Sequence, residues 1–369
     1  MKTAILTFYE AYPPTSGAAI VSYSLARYLP GERLLVQIGG RGGREEPQPG
    51  LTVLSLDLPA QSPVQKITRL PERIRALVSA VSAFGPGLVI LEGASWAIYH
   101  RLLLSALRRR LPGVRVVHHA HNVEYDLRRT RSGRGIAALT RWAERGLMHG
   151  SDLALAVSEV DAARFQALYG QRPGLLPNGV DLARFGAATP DQVEALRSRH
   201  GLGPHVVLFM GLYAYPPNTE AVRFLVQSVM PLLLRSHPDA QLVVTGGEVP
   251  LRRPWLINPG VLPFEEVPAM LRACGLGTAP IFSGSGTRLK ILESMAAGVP
   301  VVATPKGAEG LAVADGVSIL LAEDPEGFAC QIRRLWEAPD LGEALADNAR
   351  QLICLRYDWP VCLRGLLTG

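Results

Sequence analysis

Short apolar runs alternate with amphipathic stretches along the whole chain. In the first half, residues 2–8, 34–38, 51–56, 88–91, 114–118 and 153–157 read as buried strands. Between them, 18–28, 64–83 (interrupted at Pro71) and 97–110 carry helical spacing, and 39–50 reads as a polar, mobile turn region. The second half repeats the alternation, with strands expected at 205–210, 241–245, 276–279, 299–303 and 317–321. Helices are expected there at 191–200, 219–226, 265–273, 287–297, 325–336 and 341–355. Such alternation predicts an α/β fold of two doubly wound, Rossmann-like domains, with ligands at the carboxyl ends of the strands. Asn178 and Gly179 form a turn that tolerates positive φ and place the domain boundary near Pro177.

Composition narrows the class. A chain of 369 residues, 48% apolar and 19% charged, suits two globular cores. Cys274, Cys330, Cys354 and Cys362 show no CxxC spacing, so a reduced, cytoplasmic protein is expected. The amino-terminal residues run straight into a strand, and no apolar run reaches membrane-spanning length. The net charge of +6 is mild for a nucleic-acid binder and compatible with anionic ligands or a membrane surface. Arginines crowd residues 101–145; solvated helix faces explain most of them, and contact with anionic lipid is the second reading.

His118, His119 and His121 invite a metal reading. Strand alternation separates neighbouring side chains and no fourth ligand stands nearby in sequence, so no metal is expected. No DxD occurs anywhere, so the usual metal–diphosphate clamp is missing, and no cofactor is expected.

The densest chemistry lies in residues 280–310, PIFSGSGTRLKILESMAAGVPVVATPKGAEG. A strand, a Gly/Ser loop and a helix beginning near Thr287 would gather free amides and a positive helix end, which is what a phosphate needs. Arg288 and Lys290 follow at once, and Lys290 is one of only four lysines. Glu293 comes one turn later, placed to accept the two hydroxyls of a ribose. A plain tight connection with a solvated Lys290–Glu293 pair is the bland alternative.

This segment resembles the donor-binding stretch of retaining family 4 glycosyltransferases, which have the GT-B architecture. The family form has two glutamates separated by seven residues; here the second is Glu293 and Ser285 stands in place of the first. The resemblance implies that Gly284, Ser285, Gly286 and Thr287 meet the donor and that Arg288 and Lys290 hold the leaving diphosphate. It also implies a sugar contact by His121 with Asn122, and donor contacts near Gly17, Gly211, Asn218, Gly246 and Leu262. Many relatives carry an Arg and a Lys just after the glycine matching Gly211; Leu212, Tyr213 and Tyr215 stand there instead. The implied domains are 1–177 on the acceptor side and 178–356 on the donor side, with a tail over 357–369 returning to the first.

The implied activity is metal-independent, retaining transfer from a nucleoside-diphosphate sugar, UDP before GDP, to a small-molecule, glycan or lipid-linked hydroxyl. Peripheral membrane contact is a further expectation, and nucleic acid is not an expected partner. The rivals are a non-hydrolysing UDP-sugar epimerase and a catalytically silent nucleotide-sugar-binding subunit.

Overall fold

The computed structural model describes residues 2–39, 42–58, 62–93, 96–284 and 286–367. The chain divides into two compact units, residues 1–177 with 363–369, and residues 178–362.

The first unit contains β1 (Lys2–Leu6), β2 (Glu32–Ile38), β3 (Gly43–Gln48), β4 (Leu51–Leu56), β5 (Leu88–Gly93), β6 (Arg115–Ala120), β7 (Leu153–Ala156) and β8 (Gly174–Leu175). They form one sheet in the order β3-β4-β2-β1-β5-β6-β7-β8, parallel except for the antiparallel β3–β4 pair. The chain runs outward from β1 and then returns to β5, so the winding reverses between these two strands. Ile5, Leu35, Val89, Ile90, Val116 and Val117 are wholly buried, as expected of parallel strands covered on both faces. Each such side chain contributes roughly 1.5–3 kcal/mol by leaving water.

The second unit contains β9 (Val206–Met210), β10 (Gln241–Thr245), β11 (Leu256–Gly260), β12 (Gly277–Ala279), β13 (Val301–Ala303) and β14 (Leu320–Leu321). All pairs are parallel and the order is β11-β10-β9-β12-β13-β14. This is a doubly wound Rossmann-like sheet whose reversal lies between β9 and β12. Ligands of such sheets bind outside the carboxyl ends of the strands at that reversal.

Local chemistry fixes the helix ends. Ser16, Ser158, Asp181, Thr304 and Asp324 each cap a helix through the side-chain oxygen, and Thr189 forms a reciprocal capping box with Gln192.

Several elements differ from the sequence expectation. The stretch read as a mobile turn contains β3, an exposed edge strand whose polar residues carry no inward alternation. The 64–83 pattern is two helices, Pro63–Thr68 and Leu70–Phe84, joined at Arg69, with Pro71 in the first turn of the second. The 219–226 helix starts earlier, at Pro216, because its two prolines suit a first turn. The helix expected from Thr287 is Leu289–Ala296, because Arg288 has an extended backbone (φ −94°, ψ 98°) and Gly286 a positive φ of 82°. β11, with Pro259 in it, gave no strand signal.

Candidate active site

At the reversal of the second sheet, the loop after β9 faces the loop after β12. Gly211 follows β9 with φ 151°, and a Cβ there would lie 2.7 Å from Asn218 Nδ2 and 3.0 Å from Lys290 Nζ. Gly246, after β10, approaches the same spot, and a Cβ on it would come within 2.6 Å of the Gly211 carbonyl. The two glycines therefore let backbone and Lys290 meet at one point.

The Lys290 ammonium lies 3.7 Å from the centroid of the Phe209 ring and donates to Asn218 Oδ1 at 3.0 Å. From the sequence Asn218 reads either as a helix cap or as a donor contact. It lies inside the first turn rather than at the cap and donates to the Leu212 carbonyl at 3.0 Å, which fixes its oxygen toward Lys290. Burial lowers the Lys290 pKa well below the ordinary lysine range, Arg288 lowers it further, and Glu293 opposes both. An ammonium so poorly solvated gains much from an arriving dianion.

Arg288 is folded back on its own loop, donating to the Gly286 carbonyl at 2.7 Å and toward the Ser283 carbonyl at 3.4 Å. Thr287 accepts a hydrogen bond from Asn178 at 2.7 Å, so the turn residue at the domain boundary anchors the loop. Gly284, at φ 96°, borders Tyr215 and Arg288, where a Cβ would lie 3.4 and 3.5 Å from their polar atoms. Ser285 lies outside the described residues. Glu293 is half-buried; burial raises its pKa, against the charges of Arg184 and Lys290. Leu262 sits in the turn after β11, packed on the core beneath. The amino end of the Leu289–Ala296 helix, where Arg288 makes no side-chain cap bond, adds a partial positive charge.

The first unit holds a second constellation at its own reversal. Glu92 is the next-to-last residue of β5 and the register partner of His119 on β6. Its Oε1 accepts from His119 Nδ1 at 2.9 Å; its Oε2 accepts from His121 Nε2 at 2.8 Å and from Ser22 Oγ at 2.7 Å. The Tyr9 phenol, 2.7 Å from Ser22 Oγ, completes the chain as its donor. His119 Nε2 faces the Leu176 carbonyl at 3.1 Å, so both of its nitrogens meet acceptors. The bond to Glu92 places the His121 proton on Nε2 and leaves Nδ1 as an acceptor. Burial alone would raise the Glu92 pKa; the two imidazoles outweigh it and hold the carboxyl far below its usual range.

The histidines thus sort as alternation requires, with His118 packed beside His100 on the other face. A carboxylate missing from the sequence argument does stand nearby. Glu92, His119 and His121 offer ligand atoms within 4.8 Å of one another, a trio able to hold a metal, though each atom already has a hydrogen-bond partner. Asn122 follows His121, and the next helix, capped at Val123, takes no hydrogen bond from it. Gly17 is the first residue of its helix, after the Ser16 cap.

Comparisons with known proteins agree with both halves. The model described as "Glycosyltransferase Family 4" matches residues 15–184, and "Glycosyl transferases group 1" matches 204–338. The GDP-mannose-dependent alpha-(1-6)-phosphatidylinositol monomannoside mannosyltransferase of Mycolicibacterium smegmatis is 30% identical over 281 residues, 70% of each chain. The chain belongs to glycosyltransferase family 4. A D-inositol 3-phosphate glycosyltransferase of Segniliparus rotundus is 29% identical over 70% of this chain and 61% of its own length. Among solved structures, the sucrose-phosphate synthase of Thermosynechococcus elongatus superposes with a TM-score of 0.80 at 17% identity, covering 100% of this chain and 98% of its own. Anabaena Alr3699/HepE, in complex with UDP and glucose, gives 0.75 at 15% identity with the same coverage. The fold of this family 4 glycosyltransferase is GT-B.

Sequence reasoning missed Glu92 and Arg184. Glu92 had a signal, as the single charge in the buried run LVILEG. Arg184 had none. It donates to the Phe264 carbonyl, stacks 3.4 Å from the Phe264 ring centroid and charges the surroundings of Glu293.

Two predictions arise here. Gly211→Ala is expected to fold but to lose at least about tenfold in nucleotide affinity, because its Cβ crowds Asn218 and Lys290 and strains a positive φ. Calorimetric titration checks it. Glu92→Gln removes an ionised acceptor from three donors and is expected to cost about 2–3 kcal/mol of stability in urea unfolding. An unchanged midpoint and slope would contradict that.

Proposed function

We propose that this glycosyltransferase moves a sugar from a nucleoside-diphosphate sugar to an acceptor hydroxyl, with retention of anomeric configuration and without a metal. The observation that carries the reading is the cationic seat at the reversal of the second sheet: Lys290 pinned beside Gly211, Arg288, and the amino end of the Leu289–Ala296 helix. As the bond from sugar to diphosphate breaks, charge gathers on the phosphate oxygens, and donors fixed there stabilise it. Glu293 supplies an acceptor for the ribose hydroxyls. His121, with Nδ1 left as an acceptor, receives a hydrogen bond from a sugar hydroxyl. The lack of any DxD supports chemistry in which protein cations replace a metal.

Two supports bear on the base. A sequence relative is named for GDP-mannose and a structural neighbour holds UDP, so both belong in the test. Names of relatives also support an inositol- or lipid-linked acceptor. Four free cysteines, two of them exposed, support a reducing cytoplasmic setting. Among the described residues no helix is long and apolar enough to cross a membrane.

Thermal unfolding across UDP, GDP, ADP and their sugars tests the donor. One diphosphate at a hundred times its Kd is expected to stabilise the protein by about 2.7 kcal/mol. Product analysis by NMR then reads the anomer, with and without chelator. An inverted product, epimerised donor, or turnover lost to chelator would each refute the reading.

A further inference from the structure

The helix Arg134–Gly150 buries Ala137, Thr140, Ala143, Leu147 and Met148 against the first unit. Its outward side is not the polar face that a solvated helix normally presents. Ile136, Leu139 and Trp142, three residues apart, are 44%, 41% and 55% exposed, and Leu102 of the helix Ala97–Arg110 is 40% exposed. Arg134, Arg141 and Arg145 are exposed beside this stripe. The helix has a single acid, Glu144, and it is buried.

The nearby carboxylates are also spoken for. Glu124 is paired with Arg128, and Asp126 holds Arg164 through two bonds of 2.7 Å. Arg101, Trp142, Arg145, Gly146 and His149 line a groove of about 440 Å³, with the Arg101 guanidinium 5.8 Å from the Trp142 ring centroid. Gly146 leaves room for Arg101 to lie across the helix, where any Cβ would collide with it.

The geometry points to an anionic bilayer as the partner of this face. Leu139 and Trp142 enter the headgroup boundary, where an indole is at home, and the arginines meet lipid phosphates, one of which seats in the groove. Charge decides against a second copy of the chain, because a twofold contact through this face would set arginines against arginines. Binding is reversible, since a few residues at the interface give only modest affinity.

The test is co-sedimentation of the full chain with phosphatidylcholine vesicles, with and without phosphatidylglycerol. It needs no sugar transfer, so its outcome is separate from that of the donor assignment. Binding is expected only with phosphatidylglycerol, and is expected to fall with salt. Leu139→Ala/Trp142→Ala should weaken it about tenfold, and Arg141→Glu/Arg145→Glu about a hundredfold. Both variants should keep the wild-type melting temperature and nucleotide-induced shift, which shows that they fold. Equal binding to neutral vesicles, or anionic binding untouched by either variant, would overturn the proposal. So would light scattering that shows a dimer dissolved by Leu139→Ala/Trp142→Ala.

Discussion

Lys290→Met is expected to lower kcat by about 10²–10³-fold while leaving the protein at least as stable as wild type. The two effects have one cause. The Lys290 ammonium is held in a poorly solvated place between the Phe209 ring and Asn218, which costs folding energy in the empty protein. Methionine keeps the aliphatic contact with Phe209 and removes that cost. What it cannot supply is positive charge where the diphosphate departs. Because that charge matters most in the transition state, kcat should fall further than KM rises. The depressed pKa adds a pH signature. A bound dianion favours the ammonium, so nucleotide binding takes up a proton above the Lys290 pKa, and affinity declines as pH rises through it. Titration calorimetry in buffers of different ionisation heat reads that proton, and the methionine variant should lose it. Wild-type turnover in a folded Lys290→Met protein would remove Lys290 from the mechanism.

Much of this site could be read in the sequence because its parts are local. The glycine loop, Arg288, Lys290 and Glu293 lie within one strand–loop–helix unit, and strand and helix periods are local as well. What escaped depends on pairings across the sheet. Glu92 meets His119 because β5 lies beside β6 in that register, and no spacing along the chain encodes it. Asn218 looks like a cap in sequence and becomes a tether only because β9 and β12 are neighbours. Arg184 reaches Phe264 across 80 residues. Edge strands fail for a different reason: β3 and β11 lack the continuous buried run that marks a central parallel strand, so propensity alone has to identify them.

Acidification is expected to loosen the first unit well before its carboxylates titrate normally, and two histidines outside the reactive constellation are the cause. His100 and His118 are buried with rings 6.1 Å apart. Among the described residues, neither nitrogen of His100 and not the Nδ1 of His118 has a well-formed hydrogen bond; the Glu92 and Trp96 backbone near His100 only partly offsets its burial. Burial lowers their pKa values from 6.5 to about 4 and about 3, with neighbouring imidazoles adding to the shift at His118. A histidine depressed in the folded state contributes stability that is whole above pH 6.5 and is lost as pH falls toward the folded value. Glu144 acts in the opposite sense. Burial raises its pKa to about 7 against bonds from Tyr169 and two backbone amides, so its contribution is lost as pH rises from 4.5. Between pH 4.5 and 6.5 His100 and His118 take up protons on unfolding, while Glu144 and Glu124, whose pKa burial also raises, release them; the two strongly depressed histidines set the direction. Below that window Glu92, held far under its usual range, pulls the same way as the histidines. Hydrogen exchange of the β5 and β6 amides should therefore accelerate steadily from pH 6.5 to 4.5 after correction for intrinsic rates. In His100→Phe, whose ring needs no partner, the acceleration with falling pH should be weaker than in wild type and neutral-pH stability should be kept or improved. An identical slope in wild type and variant would show that His100 takes up its proton inside the folded protein.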